Sequence, residues 1–252
     1  MKIVVSADYL DKKAELKKII DDFDNSEQSV LKDERNTLKL FGLGEEIINV
    51  KSFRVPNIFN QIVYKYFRKS KARRSFEHAN KLIKLGIGTP KPIAYFEYPN
   101  GVLFGRSYYV SRQLNYDLTY RELIEDFNYP DYDNILRQFT KFTFDLHEKG
   151  VEFLDHSPGN TLITKTGNNY NFYLVDLNRM RFRSLNFEDR MKNFARISKY
   201  KHMVKIMSDE YSRHYNKSCD EVFSLMWNEV TSFRAAFERK KRFKKKFKIK
   251  SS

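Results

Sequence analysis

The residues of this chain best suited to chemistry lie between positions 151 and 178. Asp155 and Asn160 stand in one polar stretch, and Asp176 follows two short apolar runs further along the chain. Carboxylate and amide oxygens are the ligands that Mg²⁺ prefers, and a carboxylate can accept the proton of an attacking hydroxyl. The spacing is typical of phosphoryl transfer, with Asp155 beside the acceptor hydroxyl and with Asn160 and Asp176 on Mg²⁺.

The elements around these residues have an order that suits such a site. A helical pattern over Asp131–Lys149 ends at Gly150 and leads into the polar loop. Two strand-like runs, Asn160–Ile163 and Asn171–Val175, then flank a turn and deliver Asp176. By itself a D-x-x-x-x-N spacing predicts no more than a polar loop, so the interpretation depends on these neighbouring elements.

A lysine and a glutamate upstream complete the pattern. Ile47–Phe53 is the last of three predicted strands and carries Lys51, whereas Lys69–Gly86 is a predicted amphipathic helix and carries Glu77. In protein kinases a strand lysine pairs with a helix glutamate and holds the nucleotide phosphates. The alternatives are an exposed strand charge for Lys51 and a surface partner of Lys81 for Glu77. These alternatives weaken because both residues occur in the kinase order.

The remaining nucleotide contacts are predicted from their place in this order. The turn Asp33–Asn36 joins the first two strands and offers Arg35 and Asn36 to the phosphates, since the chain contains no G-x-G-x-x-G motif. The strand that ends near position 113 should lead into a second, helical lobe. Backbone groups of Arg112 and Leu114 would then meet adenine.

Composition indicates a globular, intracellular chain with a polyanionic partner. The 252 residues include 22 Phe and 16 Tyr, which is ample material for a core. The single Cys219 favours a reducing compartment. No stretch approaches the ~20 apolar residues that a membrane-spanning helix needs. The net charge of +15 favours an anionic membrane, a nucleic acid or a phosphorylated substrate.

The positive charge is concentrated in two clusters, at positions 65–74 and 239–250. In the second cluster nine of the twelve residues are basic, and they are interleaved with Phe243, Phe247 and Ile249. Such a segment is typical of an anchor on an anionic lipid surface. The alternatives are a solvated tail and an RNA-binding tail.

Four stretches carry a family resemblance: NVKSF, RRSFEHANKLIKLGIGTPKPIAYFE, LHEKGVEFLDHSPGNTLI and YLVDLNRMRF. With them the chain resembles the bacterial lipopolysaccharide kinase family, the Kdo and heptose kinases, over half its length. The resemblance implies an α+β, protein-kinase-like fold with two lobes. We expect an antiparallel-sheet N-lobe over residues 1–113, a mainly helical C-lobe over 114–238 and a basic tail over 239–252.

The resemblance also implies a role for each site residue. Asp155 would be the catalytic base, Asn160 and Asp176 would hold Mg²⁺, and Lys51 with Glu77 would hold the phosphates of ATP. The implied reaction phosphorylates a Kdo residue of lipid A-linked lipopolysaccharide at the cytoplasmic face of the inner membrane. The basic clusters would bind that membrane, and no nucleic acid is expected.

Two departures from the kinase pattern affect what the resemblance implies. Phe153 and Leu154 precede Asp155 where protein kinases have His-Arg, which argues against an arginine-dependent activation switch. The sequence D-L-N at Asp176–Asn178 replaces D-F-G and lacks its flexible glycine. Both departures favour a constitutively arranged sugar kinase. His156 is expected to pack within the loop, with a contact to the acceptor as the alternative.

Several rival functions remain open at this point. One is a heptose kinase, because Kdo and heptose kinases share these motifs. Others are an atypical protein kinase and a small-molecule phosphotransferase, which a substrate panel would distinguish. The last is a non-catalytic pseudokinase that binds a membrane or RNA. The sequence leaves open the acceptor hydroxyl, the residues that bind the acceptor, and the oligomeric state.

Overall fold

The structure is a computed structural model that describes residues 1–26, 30–33, 36–55, 68–100 and 103–249. Arg35 of the predicted phosphate turn lies outside the described residues, as do positions 65–67 of the first basic cluster. The chain forms two compact units. The first comprises residues 1–115 with 174–179, and the second comprises 116–173 and the residues from 180 onward.

The first unit contains a six-stranded sheet in which every neighbouring pair is antiparallel, in the order β1-β5-β6-β4-β3-β2. In this sheet Lys51 lies opposite Leu38 on one side and Tyr109 on the other. The strands are β1 Lys2–Val5, β2 Val30–Asp33, β3 Asn36–Leu43, β4 Glu46–Phe53, β5 Pro92–Asn100 and β6 Leu103–Arg112.

Among the described residues of the first unit, three segments are helical: a 3₁₀ turn at Ala7–Lys12, α1 at Lys13–Asp21 and α2 at Lys71–Lys84. The side chain of Ser70 caps α2 by accepting from the Arg73 N–H at 3.0 Å. On the apolar face of α2, Ala72, Ala79 and Leu82 are fully buried. This burial fixes which residues of the helix face outward and which face the sheet.

The second unit is mainly helical, with two small sheets of the order β10-β9-β7 and β11-β8. Its core is rich in aromatic residues and methionine, and includes Tyr120, Phe139, Phe194, Met207 and Tyr211. The helices are α3 Tyr120–Glu125, α4 Tyr132–Glu148, α5 Phe187–Asn193, α6 Lys201–Ser212 and α7 Cys219–Ile249. The strands are β7 Leu118–Thr119, β8 Val151–Phe153, β9 Thr161–Thr166, β10 Asn169–Leu174 and β11 Met180–Phe182.

The division of the chain differs from the expected ranges in two places. Residues 174–179 join the first unit, although they follow β10 in the sequence. The basic segment does not begin a separate tail at 239, because α7 continues unbroken from Cys219 to Ile249. In the part of the chain that is described, no helix combines the length and apolar character needed to cross a bilayer.

Candidate active site

An ion pair in the first unit joins two of the predicted site residues. Lys51 on β4 places its Nζ 2.8 Å from Oδ1 of Asp176, and both side chains are mostly buried. Asp176 has a φ of 58°, in the left-handed region. That conformation is strained for most L-residues and is tolerated best by Gly, Asn and Asp. Asp176 therefore suits this position in two ways. Its residue type tolerates the left-handed backbone, and its carboxylate pairs with Lys51.

The residues after Asp176 are fastened to helix α2 through their backbone. Arg74 donates from Nη1 to the Asn178 carbonyl at 2.7 Å, and His78 Nδ1 lies 2.7 Å from the Leu177 carbonyl. Because a carbonyl only accepts, the proton of the His78 bond lies on Nδ1. Burial lowers the pKa of His78, which favours the neutral imidazole with that tautomer. We call these two bonds the backbone clamp.

Two further contacts complete the support of this segment. Asn178 donates from Nδ2 to Asp176 Oδ1 at 2.8 Å, so the last residue of D-L-N orients the first. Before the segment, Thr89 donates from its hydroxyl to the Leu174 carbonyl at 2.8 Å. The contacts on both sides explain how the left-handed backbone at Asp176 is maintained.

The expected pairing of Lys51 with Glu77 is not present. The Glu77 carboxylate accepts from Lys69 at 2.7 Å and from Arg73 Nε at 2.8 Å, whereas Lys51 is bound to Asp176. Burial by itself would raise the pKa of Glu77, but the hydrogen bonds from Lys69 and Arg73 outweigh it and lower the pKa. Glu77 pairs with Arg73 because Arg73 lies one turn away on the same helix, within reach of the carboxylate.

The predicted adenine contacts lie where β6 ends. The Arg112 N–H donates to the Lys91 carbonyl at 2.9 Å, and its guanidinium pairs with Glu46 at 3.4 Å. Among the described residues the Leu114 N–H has no hydrogen-bond partner, and the Leu114 carbonyl accepts from Gln113 Nε2 at 3.2 Å. Leu114 thus has a donor available for a base, whereas the Arg112 N–H is already used. Asn36, the other candidate of the phosphate turn, begins β3 opposite Phe53.

In the second unit the polar loop follows β8. Asn160 donates from Nδ2 to the Asp155 carbonyl at 2.8 Å, and its N–H donates to the Ser157 carbonyl at 2.9 Å. Because the amide of Asn160 uses its NH₂ group within the loop, Oδ1 remains as an oxygen donor. Asn160 and Asp176 thus each offer the hard oxygen atoms that suit Mg²⁺.

Two arginines beside this loop carry no signal in the sequence. Arg196 Nη1 lies 2.9 Å from Oδ1 of Asp155, and its guanidinium lies over the ring of Phe233 at 5.7 Å from the centroid. Arg121 lies against Gly159, where an added Cβ would come 2.8 Å from its Nη2. Both contacts join segments that are far apart in the sequence, so no local motif could reveal them.

The two histidines near the loop are structural. His156 is buried among the rings of Phe139, Phe153 and Phe194, and burial lowers its pKa to about 3. The packing interpretation of His156 is therefore the correct one. His147 is also buried, with Nδ1 2.9 Å from the Tyr211 hydroxyl, and burial lowers its pKa to about 3. Neither ring is charged at neutral pH.

The antiparallel sheet of the first unit and the helices of the second are those of a kinase-like fold. The sequence matches the profile of the lipopolysaccharide kinase (Kdo/WaaP) family over residues 55–216, which is more than half of the chain. The chain belongs to this family. Its members transfer a phosphoryl group to sugar hydroxyls, so the protein is a lipopolysaccharide kinase, and the predicted α+β protein-kinase-like fold is confirmed.

Solved structures share the fold at low sequence identity. The structure of WaaP in complex with acyl carrier protein aligns with a TM-score of 0.63 and 14% identity, covering 95% of this chain and 99% of that one. The Rio2 kinase-ADP/Mg²⁺-phosphoaspartate complex from Chaetomium thermophilum aligns with a TM-score of 0.48 and 14% identity. The alignment covers 87% of this chain and 69% of that one. MAP kinase LmaMPK10 from Leishmania major aligns with a TM-score of 0.48 and 17% identity, covering 86% of this chain and 66% of that one. No curated protein sequence matches the chain.

Proposed function

We propose that the protein uses ATP and Mg²⁺ to phosphorylate a Kdo residue of lipid A-linked inner-core lipopolysaccharide. The observation that carries this proposal is the Lys51–Asp176 pair, at 2.8 Å, in a chain that belongs to the lipopolysaccharide kinase family. A strand lysine beside a carboxylate in a fixed backbone conformation is what nucleotide binding by a kinase-like fold requires.

Each residue then has a defined task. Lys51 binds the α- and β-phosphates, Asp176 and Asn160 supply oxygen ligands to the metal, and the Leu114 N–H binds adenine. The metal, when bound, neutralises the charge that develops on the phosphates. Asp155 accepts the hydrogen bond of the acceptor hydroxyl. Its carboxylate takes the proton as the hydroxyl oxygen attacks the γ-phosphorus and the bond to ADP breaks.

Glu77, Arg35, Asn36 and Arg112 remain proposed nucleotide contacts with less support. Glu77 would have to leave Lys69 and Arg73 before it could pair with Lys51. The N–H of Arg112 is already bonded to Lys91, so this residue would have to contribute its carbonyl or side chain.

Transfer of label from γ-labelled ATP tests the function. Kdo–lipid A, heptosylated lipid A and a generic protein would be offered side by side, with the wild type and with Asp155→Asn, Asp176→Asn and a surface control, Asp145→Asn. We expect label on Kdo–lipid A that is lost in the first two variants and kept in the control. Label on heptose alone would keep the reaction class and overturn the acceptor. ATP binding without any transfer would favour a pseudokinase.

We also propose that α7 places the enzyme on an anionic membrane surface. Every described side chain from Thr231 to Lys244 is exposed, and Phe237 and Phe243 are 57% and 63% exposed. A basic helix with exposed aromatic residues suits a lipid headgroup layer. The first basic cluster supports this role less, because Lys69 and Arg73 bind Glu77 and Arg74 belongs to the backbone clamp.

Vesicle flotation tests the membrane role. Phe237→Ser/Phe243→Ser and Lys240→Gln/Lys244→Gln should each reduce binding to vesicles that contain anionic lipid, with Leu10→Ser as a control at an exposed apolar residue elsewhere. Binding should fall as salt is raised. Unchanged flotation of both variants would overturn the proposal. A parallel assay would measure binding of purified acyl carrier protein, the partner of WaaP in its solved complex, as the alternative ligand of the same basic helix.

A further inference from the structure

We propose that Arg196 and Arg121 form an anion-binding subsite that recognises an acid group on the acceptor sugar. This inference rests on the proposed function, because it takes Asp155 as the residue that binds the acceptor hydroxyl. It goes further by naming residues for acceptor specificity and a substrate class: a sugar that carries a carboxylate or a phosphate near the hydroxyl to be phosphorylated.

The first argument comes from the contact between Arg196 and Asp155. A guanidinium has five N–H donors, and the closest atoms of the ion pair with Asp155 are Nη1 of Arg196 and Oδ1 of Asp155, at 2.9 Å. The side chain of Arg196 is 36% exposed, so part of the guanidinium faces solvent beside the catalytic carboxylate. Arginine is suited to such a place because its planar fork can bind a second carboxylate or a phosphate.

Distance makes this contact relevant to the acceptor. A hydroxyl that donates to the Asp155 carboxylate at about 2.7 Å lies no more than about 8 Å from Nη1 of Arg196. An acid group a few bonds from that hydroxyl on a sugar ring spans the remaining distance. Kdo is a sugar acid with such a carboxylate on its ring, whereas a heptose is neutral unless it is phosphorylated.

The guanidinium of Arg196 is also held in place on its other side. It lies over the ring of Phe233, a residue of α7, at 5.7 Å from the centroid. A cation over an aromatic face is restrained without using its N–H donors. This cation–π contact therefore restrains Arg196 and leaves donors for a ligand, which lowers the entropy cost of binding.

Arg121 supplies the second cation. Its Nη2 lies within 2.8 Å of the position that a Cβ would occupy at Gly159, next to Asn160 in the same loop. The side chain is exposed, and among the described residues no carboxylate forms an ion pair with it. The loop that holds Asp155 is therefore flanked by one arginine that is paired and one that is available.

Acceptor kinetics and direct binding test the subsite together. The acceptors are Kdo–lipid A, the same glycolipid with its Kdo carboxylate reduced to an alcohol, and the same glycolipid with its lipid A phosphates removed. Arg121→Gln and Arg196→Lys would be compared with the wild type and with Arg213→Gln, a surface control that pairs with Asp209 on α6. Binding of free Kdo would be measured by calorimetry.

We expect Arg121→Gln to raise the KM for Kdo–lipid A about tenfold or more, with the KM for ATP and the kcat unchanged. The carboxyl-reduced acceptor should show that higher KM already with the wild type, and Arg121→Gln should not raise it further. If removal of the lipid A phosphates raises the wild-type KM instead, and Arg121→Gln raises it no further, the acid group is a phosphate. Arg196→Lys should raise the KM in the same way, whereas a fall in kcat alone would mean that Arg196 only orients Asp155.

The outcomes separate this proposal from the proposed function. Wild-type transfer to Kdo–lipid A with a KM that is indifferent to Arg121, to the carboxylate and to the phosphates would overturn the subsite and leave the function standing. Calorimetric binding of Kdo that Arg121→Gln abolishes, without transfer to any acceptor, would support the subsite and overturn the function. No binding of Kdo and no effect of either arginine would overturn the subsite.

Discussion

Lys51 lies 2.8 Å from Asp176, so the cation expected on the nucleotide phosphates neutralises the carboxylate expected on the metal. Each side chain thereby has a partner of opposite charge in a mostly buried place, where an unpaired charge would be costly. Binding of nucleotide and metal would exchange this pair for two new ones. Under the proposed function, the pair is therefore a resting arrangement that nucleotide and metal would replace.

Lys51→Met should reduce phosphoryl transfer by at least about a hundredfold, because it removes the charge that binds the phosphates and leaves the Asp176 carboxylate without its cation. Initial rates at saturating acceptor and varied ATP would measure this loss. Lys91→Met, at an exposed lysine that pairs with Asp8, is the matched control and should retain full activity. Near-normal transfer by Lys51→Met would contradict the assignment of Lys51.

The backbone clamp predicts that His78 is a positioning residue. His78→Ala leaves the Leu177 carbonyl without its donor, and an unmade buried hydrogen bond costs about 1–3 kcal/mol. We expect a higher Mg²⁺ concentration for half-maximal rate and a lower kcat, with an unchanged KM for the acceptor. Titration of the rate with Mg²⁺ would measure the effect, and His78→Asn should restore part of it by donating from its amide.

Glu77→Gln tests whether Glu77 takes part in nucleotide binding. It weakens the contacts with Lys69 and Arg73 at the partly exposed start of α2, which by themselves contribute little to stability. If Glu77 exchanges its partners for Lys51 when nucleotide binds, the KM for ATP will rise. An unchanged KM for ATP would contradict that exchange and leave Glu77 as a structural partner of Lys69 and Arg73.

Stability should fall in mild acid because of the buried histidines. The folded-state pKa of His147 and of His156 is lowered to about 3 by burial, so both bind a proton only when the chain unfolds. Their contribution is fully present above the unfolded pKa of about 6.5 and is lost as the pH falls from there towards 3. Each adds about 1.4 kcal/mol per pH unit to the slope of the unfolding free energy.

Urea unfolding at pH 7.5, 6.0 and 5.0 would measure that slope. His156→Phe, which places a fourth phenylalanine ring beside Phe139, Phe153 and Phe194, should remove the contribution of one histidine to the slope. His202→Phe, at an exposed histidine on α6, is the control and should keep the wild-type slope. Equal slopes in all three proteins would mean that the buried rings are protonated in the folded state.

Gly150 and Gly167 form a matched pair for backbone effects. Both have positive φ, at 67° and 60°, but a Cβ at Gly150 would lie 3.0 Å from the Arg183 carbonyl, whereas one at Gly167 would meet nothing within 4 Å. Gly167→Ala should cost about 1–2 kcal/mol of conformational strain. Gly150→Ala should lower the melting temperature further, because the helix-to-strand connection between α4 and β8 cannot open around the new methyl group.

The fold class was predictable from local patterns, since the helices over 71–84 and 132–148 have strong apolar faces and the strands around Lys51 have short turns between them. Strand β1 was not predicted, because its role depends on pairing with β5 about ninety residues away. The partner of Glu77 was predicted wrongly, because kinase analogy favoured Lys51 over an arginine one turn away. Arg196 reaches Asp155 only through the packing of distant elements, which no spacing records.

The left-handed backbone at Asp176 has a consequence for how this enzyme could lose its activity. Asn and Gly accept the same φ, and Asn can keep the contact with Lys51 through its amide oxygen. A lineage that drifted away from catalysis could therefore change this one position and retain the whole architecture. Among sequences with this fold, an Asn or a Gly at the place of Asp176 would therefore indicate a protein that keeps the fold but has lost phosphoryl transfer.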